Sequence, residues 1–182
     1  LSYQYKIYSE LNFNDYKSLM EKYFSPSIQI NEIVQTLENK YNIIHDNTLA
    51  VYYRGTDKET ETKIALFEDF YEKIIKIVKL NENIKILLQT DTAQFIDYIK
   101  DKNLKNVIII TENKTSYRKK GIHIESKTNH FDILYFLSTI LIMSKCKYII
   151  CSSGNCSLWT MLYRGNGNNV IQFIKGKWYE NI

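Results

Sequence analysis

The sequence predicts a doubly wound α/β fold, a parallel sheet covered by helices on both faces. Three observations carry this. Short, nearly continuous apolar runs recur at 48–53, 84–89, 106–111, 148–151 and 170–174. Stretches of helical periodicity separate them. Strands without a polar face are the kind a parallel sheet buries on both sides. Right-handed crossovers then give one sheet with the expected strand order 3-2-1-4-5.

Residues 1–45 read as a helical segment packed on, or leading into, a domain spanning 46–182. Within it, 15–24 suits a short helix. Ser25-Pro26-Ser27 breaks the chain and offers an N-cap, and Ile28, Ile30, Ile33, Val34, Leu37 and Tyr41 recur near helical spacing, so 27–41 is a helix. The run 48–53 ends at Arg54-Gly55, a buried strand entering a loop. Apolar residues at 64, 67, 70, 71, 74, 75 and 78 make 64–80 a long amphipathic helix. Strand 84–89 follows, then helix 92–100, which Thr90, Asp91 or Thr92 can cap, and then strand 106–111. Residues 112–129 are polar and loop-like. Helix 131–144, strand 148–151, helix 155–163 and strand 170–174 complete the alternation.

Composition narrows the function classes. The chain has 182 residues, 45% hydrophobic and 24% charged, which suits one globular domain. One proline and six glycines leave little material for linkers. A net charge of +4 fits an anionic ligand, but no basic stripe accompanies it, so nucleic acid is not an expected partner. Cys146, Cys151 and Cys156 fall five apart, which matches neither a zinc pattern nor a disulfide framework, and no metal site is expected. No run approaches the ~20 apolar residues of a membrane span, and the opening Leu-Ser-Tyr-Gln-Tyr-Lys is not a signal peptide. The fifteen tyrosines are expected to serve packing, and Trp159 reads as core rather than as a sugar platform.

Sheets of this kind bind ligands beyond the C-terminal ends of their strands. Those ends read Arg54-Gly55-Thr56-Asp57, Gln89-Thr90-Asp91-Thr92, Thr111-Glu112-Asn113 and Ser152-Ser153-Gly154-Asn155-Cys156-Ser157. Arg54 offers a planar fork suited to phosphate oxygens. Ser153, Gly154, Asn155 and Ser157 make a small-residue turn at a helix N-terminus, where free amides and the dipole favour a phosphate. Plainer readings stand beside these: a surface turn at Arg54–Asp57, and simple N-caps at Asp91 and in the serine turn. Neither a dinucleotide-binding glycine fingerprint nor a Walker sequence occurs, which argues against an NAD enzyme and a P-loop NTPase.

Three segments resemble the motifs of α1,2- and α1,6-fucosyltransferases. Val51-Tyr-Tyr-Arg-Gly-Thr-Asp-Lys58 resembles their His-x-Arg-Arg-x-Asp motif. Leu88-Gln-Thr-Asp91 is similar to their strand ending in Thr-Asp or Ser-Asp. The third, from Met143 through Cys151-Ser-Ser-Gly-Asn-Cys-Ser157 to Trp159, resembles their Ser-rich turn into a helix. The usual His falls on Tyr52, the second Arg of the α1,6 enzymes on Gly55, and a helical Asp on Thr139, with Asp132 one or two turns away.

The resemblance implies the Rossmann-like, C-terminal donor half of a GT-B glycosyltransferase. It implies inverting, metal-independent transfer of fucose from GDP-fucose, with no cofactor beyond the donor. Arg54 and Asp57 would be catalytic, Arg54 holding the diphosphate. Gly55, Asp91, Ser153, Gly154, Asn155 and Ser157 would line the donor site. The partners implied are the nucleotide sugar and a glycan or protein acceptor held by a further N-terminal domain. Another nucleotide sugar, or a non-catalytic nucleotide-binding module, is the alternative. The compartment is not readable, though a cytoplasmic place, or the cytoplasmic side of a bacterial or viral-host membrane, is favoured.

Overall fold

The computed structural model describes residues 6–56, 62–118 and 129–182. Its strands are β1 (Thr48–Tyr53), β2 (Lys85–Thr90), β3 (Val107–Ile109), β4 (Tyr148–Ser152), β5 (Val170–Ile174) and β6 (Lys177–Asn181). Its helices are α1 (Asn14–Tyr23), α2 (Ile28–Lys40), α3 (Phe67–Leu80), α4 (Ala93–Asp101), α5 (His130–Lys145) and α6 (Asn155–Arg164). Together they form a Rossmann-like α/β fold around one sheet in the order β3-β2-β1-β4-β5-β6. The first five strands run parallel in the expected order.

The sixth strand corrects the sequence reading. β6 pairs antiparallel with β5 through a tight turn at Lys175-Gly176. Both turn residues have positive φ, 49° and 79°, the geometry that suits the twist of a two-residue hairpin. Lys-Trp-Tyr-Glu-Asn lacks a clean alternation because it is an edge strand, half in solvent. Trp178 packs on Phe70 and Phe173, and Glu180 is paired with Lys73 and Lys76. The helix expected at 64–80 starts three residues late, where the Asp69 carboxylate accepts the Leu66 amide at 3.3 Å.

β1 is buried along its whole length and splits its side chains between two cores. Leu49, Val51 and Tyr53 face α3 and α4. Ala50 and Tyr52 face the layer built from α2, α5 and α6. Period-2 alternation therefore survives, hidden because both faces are apolar. Tyr53 sits in an aromatic cluster with ring centroids 5.1 Å from Phe67, 5.1 Å from Phe70 and 4.4 Å from Phe95. Trp159 is partly buried against the second core and packs on Phe24 with ring centroids 4.8 Å apart.

The segment before β1 packs on the second layer. Ser27 caps α2, its hydroxyl accepting the Ile30 amide at 3.3 Å. A single 3-10 turn, Tyr8–Glu10, buries Tyr8 completely. Its phenol shares a 2.8 Å hydrogen bond with the Ser157 hydroxyl. Its amide donates to Gln172 Oε1 at 2.8 Å, and Gln172 Nε2 donates to the Lys6 carbonyl and to Ser153 Oγ. Among the described residues no helix is long and apolar enough to cross a membrane.

All three thiols are free. Burial pushes Cys146 and Cys151 up to about 12, so neither supplies thiolate near neutral pH. Cys156 is partly exposed. Native protein at pH 8 should therefore react with a thiol reagent at Cys156 alone, the other two following only in denaturant. Rapid native labelling of Cys151, located by mass spectrometry, would contradict this packing.

Candidate nucleotide site

A cavity of about 270 Å³ opens beyond the C-terminal ends of the central strands. The crevice where β1 sits between β2 and β4 is the switch point of the sheet, the usual ligand position in this architecture. Tyr52, Gln89 and Thr90 form the strand-end floor. Arg54, Thr56 and Asp91 line one side, with Cys156 from the first turn of α6. Ile133, Phe136 and Leu137 of α5 make an apolar wall, beside Asp132 and Lys114.

Asp91 organises the loop after β1. Its Oδ1 accepts the Gly55 amide at 3.0 Å and the Thr92 hydroxyl at 2.9 Å. Its Oδ2 accepts the Thr56 hydroxyl at 2.7 Å and lies 3.5 Å from Arg54 Nε. The carboxylate is thus engaged within the protein, so Asp91 positions the loop. It does not cap α4, whose N-cap is Thr92. The backbone between β3 and α5 braces this corner: the Ser116 amide donates to the Asp91 carbonyl, and the Ala93 amide to the Ser116 carbonyl, both at 2.9 Å.

Arg54 reaches across the switch point, its Nη1 lying 3.8 Å from Cys156 Sγ. A guanidinium thus stands beside the N-terminus of α6, where the first amides have no intrahelical acceptor. Gly55 leaves no room for a side chain. An added Cβ would fall 2.7 Å from Tyr53 Cε1 and 2.9 Å from Thr92 Oγ1. Tyr52, at the position of the usual His, is buried; desolvation and the neighbouring Cys156 push its phenol well above the ordinary range, so it stays neutral.

The serine turn divides. Gly154 is the extended N-cap of α6 and Asn155 is exposed. Ser153 is buried and its hydroxyl accepts from Gln172 at 2.6 Å. For Ser157 only the backbone amide is left for the expected phosphate contact. Its side chain is only 1% exposed and holds Tyr8 and the Ser152 carbonyl, so its hydroxyl is not offered to the cavity. Asp57 lies outside the described residues.

Asp132, Gln89 and Thr139 have structural partners that the sequence did not reveal. Asp132 belongs to a capping box, accepting the Asn129 amide while Asn129 Oδ1 accepts its own, both at 2.9 Å. Lys114 lies 2.7 Å away, and these two bonds hold the Asp132 carboxyl below its ordinary value. The Asn-x-x-Asp spacing could have revealed the cap. Gln89 was legible as the one polar residue among Ile86, Leu87 and Leu88, because a buried glutamine at a strand end needs a partner. Thr139 is fully buried. Its hydroxyl donates to the Tyr135 carbonyl at 2.9 Å and accepts Asn113 Nδ2 at 2.8 Å.

The fold is similar to that of the α-1,6-fucosyltransferase NodZ from Bradyrhizobium. Against NodZ co-crystallised with GDP, the TM-score is 0.55 with 16% identity over 85% of this chain and 48% of that one. Against NodZ soaked with GDP-fucose, the values are 0.55 and 16%, over 86% and 49%. The chain spans about half the length of these enzymes. No family model matches the chain, and no curated sequence matches it.

Proposed function

We propose that this chain binds a nucleotide sugar as the donor half of a glycosyltransferase, with GDP-fucose as the donor. The observation that carries the reading is Arg54, fixed by Asp91 at the switch point and facing the N-terminus of α6. A diphosphate there meets a guanidinium fork and helix amides together. Similarity of fold to an enzyme crystallised with GDP and soaked with GDP-fucose supports the choice of nucleotide.

In the proposed chemistry an acceptor hydroxyl attacks the anomeric carbon with inversion, and the bond to the diphosphate oxygen breaks. Negative charge grows on the leaving GDP. Arg54 and the α6 amides stabilise that charge more in the transition state than in the ground state, so this step calls on no metal or further cofactor. Asp57 is assigned to support of the loop or contact with the sugar. The acceptor, a glycan or a protein, would be held by a further domain.

Thermal shift against GDP, UDP, ADP and their sugars tests the reading. Ligand at a hundred times its Kd adds about 2.7 kcal/mol, which should raise Tm by roughly 5–10 °C in a chain this long. GDP and GDP-fucose should give the largest shifts. A flat response to every nucleotide would reject the assignment.

A further inference from the structure

We infer that Gln89 reads the nucleobase, donating its side-chain amide to a carbonyl oxygen on the base edge and so favouring a keto purine over an amino purine. The inference rests on the nucleotide reading above and names a determinant that reading lacks.

The Thr139 hydroxyl donates to Tyr135, so toward Asn113 it can only accept. Asn113 must then present its amide nitrogen to Thr139. The same nitrogen donates to Gln89 Oε1 at 2.9 Å. Gln89 therefore spends its acceptor on Asn113, and its two N–H groups are left over. Flipping both amides would lose one hydrogen bond and strand a buried donor in place of the Asn113 acceptor, the worse orphan.

Gln89 is 5% exposed and lines the cavity, and among the described residues its Nε2 has no acceptor. That nitrogen is open to the cavity, where an acceptor on a bound ligand can take its N–H groups. The cavity beside it suits a flat ring, because Phe136, Ile133 and Leu137 of α5 form its apolar wall. Arg54 and the α6 N-terminus lie at the β1–β4 side of the cavity and Gln89 on β2, so a base at Gln89 leaves the diphosphate where the cationic groups are. A base carbonyl satisfies Gln89. An exocyclic amino group in the same place sets donor against donor.

Calorimetric titration with GDP, IDP and ADP tests this. Wild type should bind GDP and IDP alike, since both carry the carbonyl, and ADP more weakly. Gln89→Met keeps the volume and removes the donor, so GDP and IDP should weaken about tenfold while ADP changes less than about twofold. Asn113→Asp supplies only acceptors, so Gln89 turns over and shows its oxygen to the cavity; the GDP:ADP preference should fall and move toward ADP. If Gln89→Met does not fold, the Asn113→Asp ratio decides. An unchanged GDP:ADP ratio in the folded variants overturns the inference while leaving nucleotide binding intact. Failure of wild type to bind any of the three overturns both.

Discussion

Replacing Arg54 with alanine should weaken GDP binding and lower transfer by an enzyme containing this chain roughly 10²-fold or more, the scale of losing one donor to a developing oxyanion. Arg54→Lys should recover little, because a point charge cannot reproduce a planar fork. The fold should persist. The Asp91 carboxylate keeps the Gly55 amide and the Thr56 and Thr92 hydroxyls as donors, so the loop remains anchored without the arginine. Titration of GDP into both variants, with melting curves as the control, measures this. Unaltered GDP affinity in folded Arg54→Ala would remove the donor-site assignment, since Arg54 is the cationic side chain at the switch point.

The largest loss of stability should come from Tyr8, far from β1 in sequence. Tyr8→Ala empties a fully buried aromatic site and leaves Ser157 without its phenol partner, while the backbone amide at position 8 can still donate to Gln172. Truncations of this kind cost roughly 3–5 kcal/mol, which lowers Tm by roughly 10 °C in a chain of this length. Tyr8→Phe removes only the phenol oxygen and should cost about 1 kcal/mol, because Ser157 keeps the Ser152 carbonyl as acceptor. Thermal melts of the two variants separate packing from hydrogen bonding. A Tyr8→Ala protein that melts within about 2 °C of wild type would show that the segment is not docked in solution.

The sheet was readable because its signal is local. Strands β1 and β5 stand out as apolar runs, and the helices between them carry their own periodicity. β6 was hidden because an edge strand with one solvated face is too polar to register, although Lys175-Gly176 marks its turn. At the site, Arg54 and the serine turn were legible as charge and small residues at strand ends. Their side-chain partners were not. Ser157 is legible as part of a helix N-terminus; that its hydroxyl is held by Tyr8, 149 positions away, is not. Asp91 looks like an N-cap or a ligand contact and is the hub of a loop 35 residues upstream. Which acceptor a hydroxyl or carboxylate satisfies is decided by tertiary packing, and no spacing rule encodes it.

Gly55 has a consequence for how this loop can change by mutation. The α1,6 enzymes that the motif resembles carry a second arginine at this point, and here the space for its Cβ is already filled by the Tyr53 ring and the Thr92 hydroxyl. Tyr53 is in turn wedged among Phe67, Phe70 and Phe95. Installing the arginine alone pushes on that ring, and trimming Tyr53 first opens a void beneath the sheet. Either single change should therefore lower stability. A side chain at 55 calls for room at both 53 and 92.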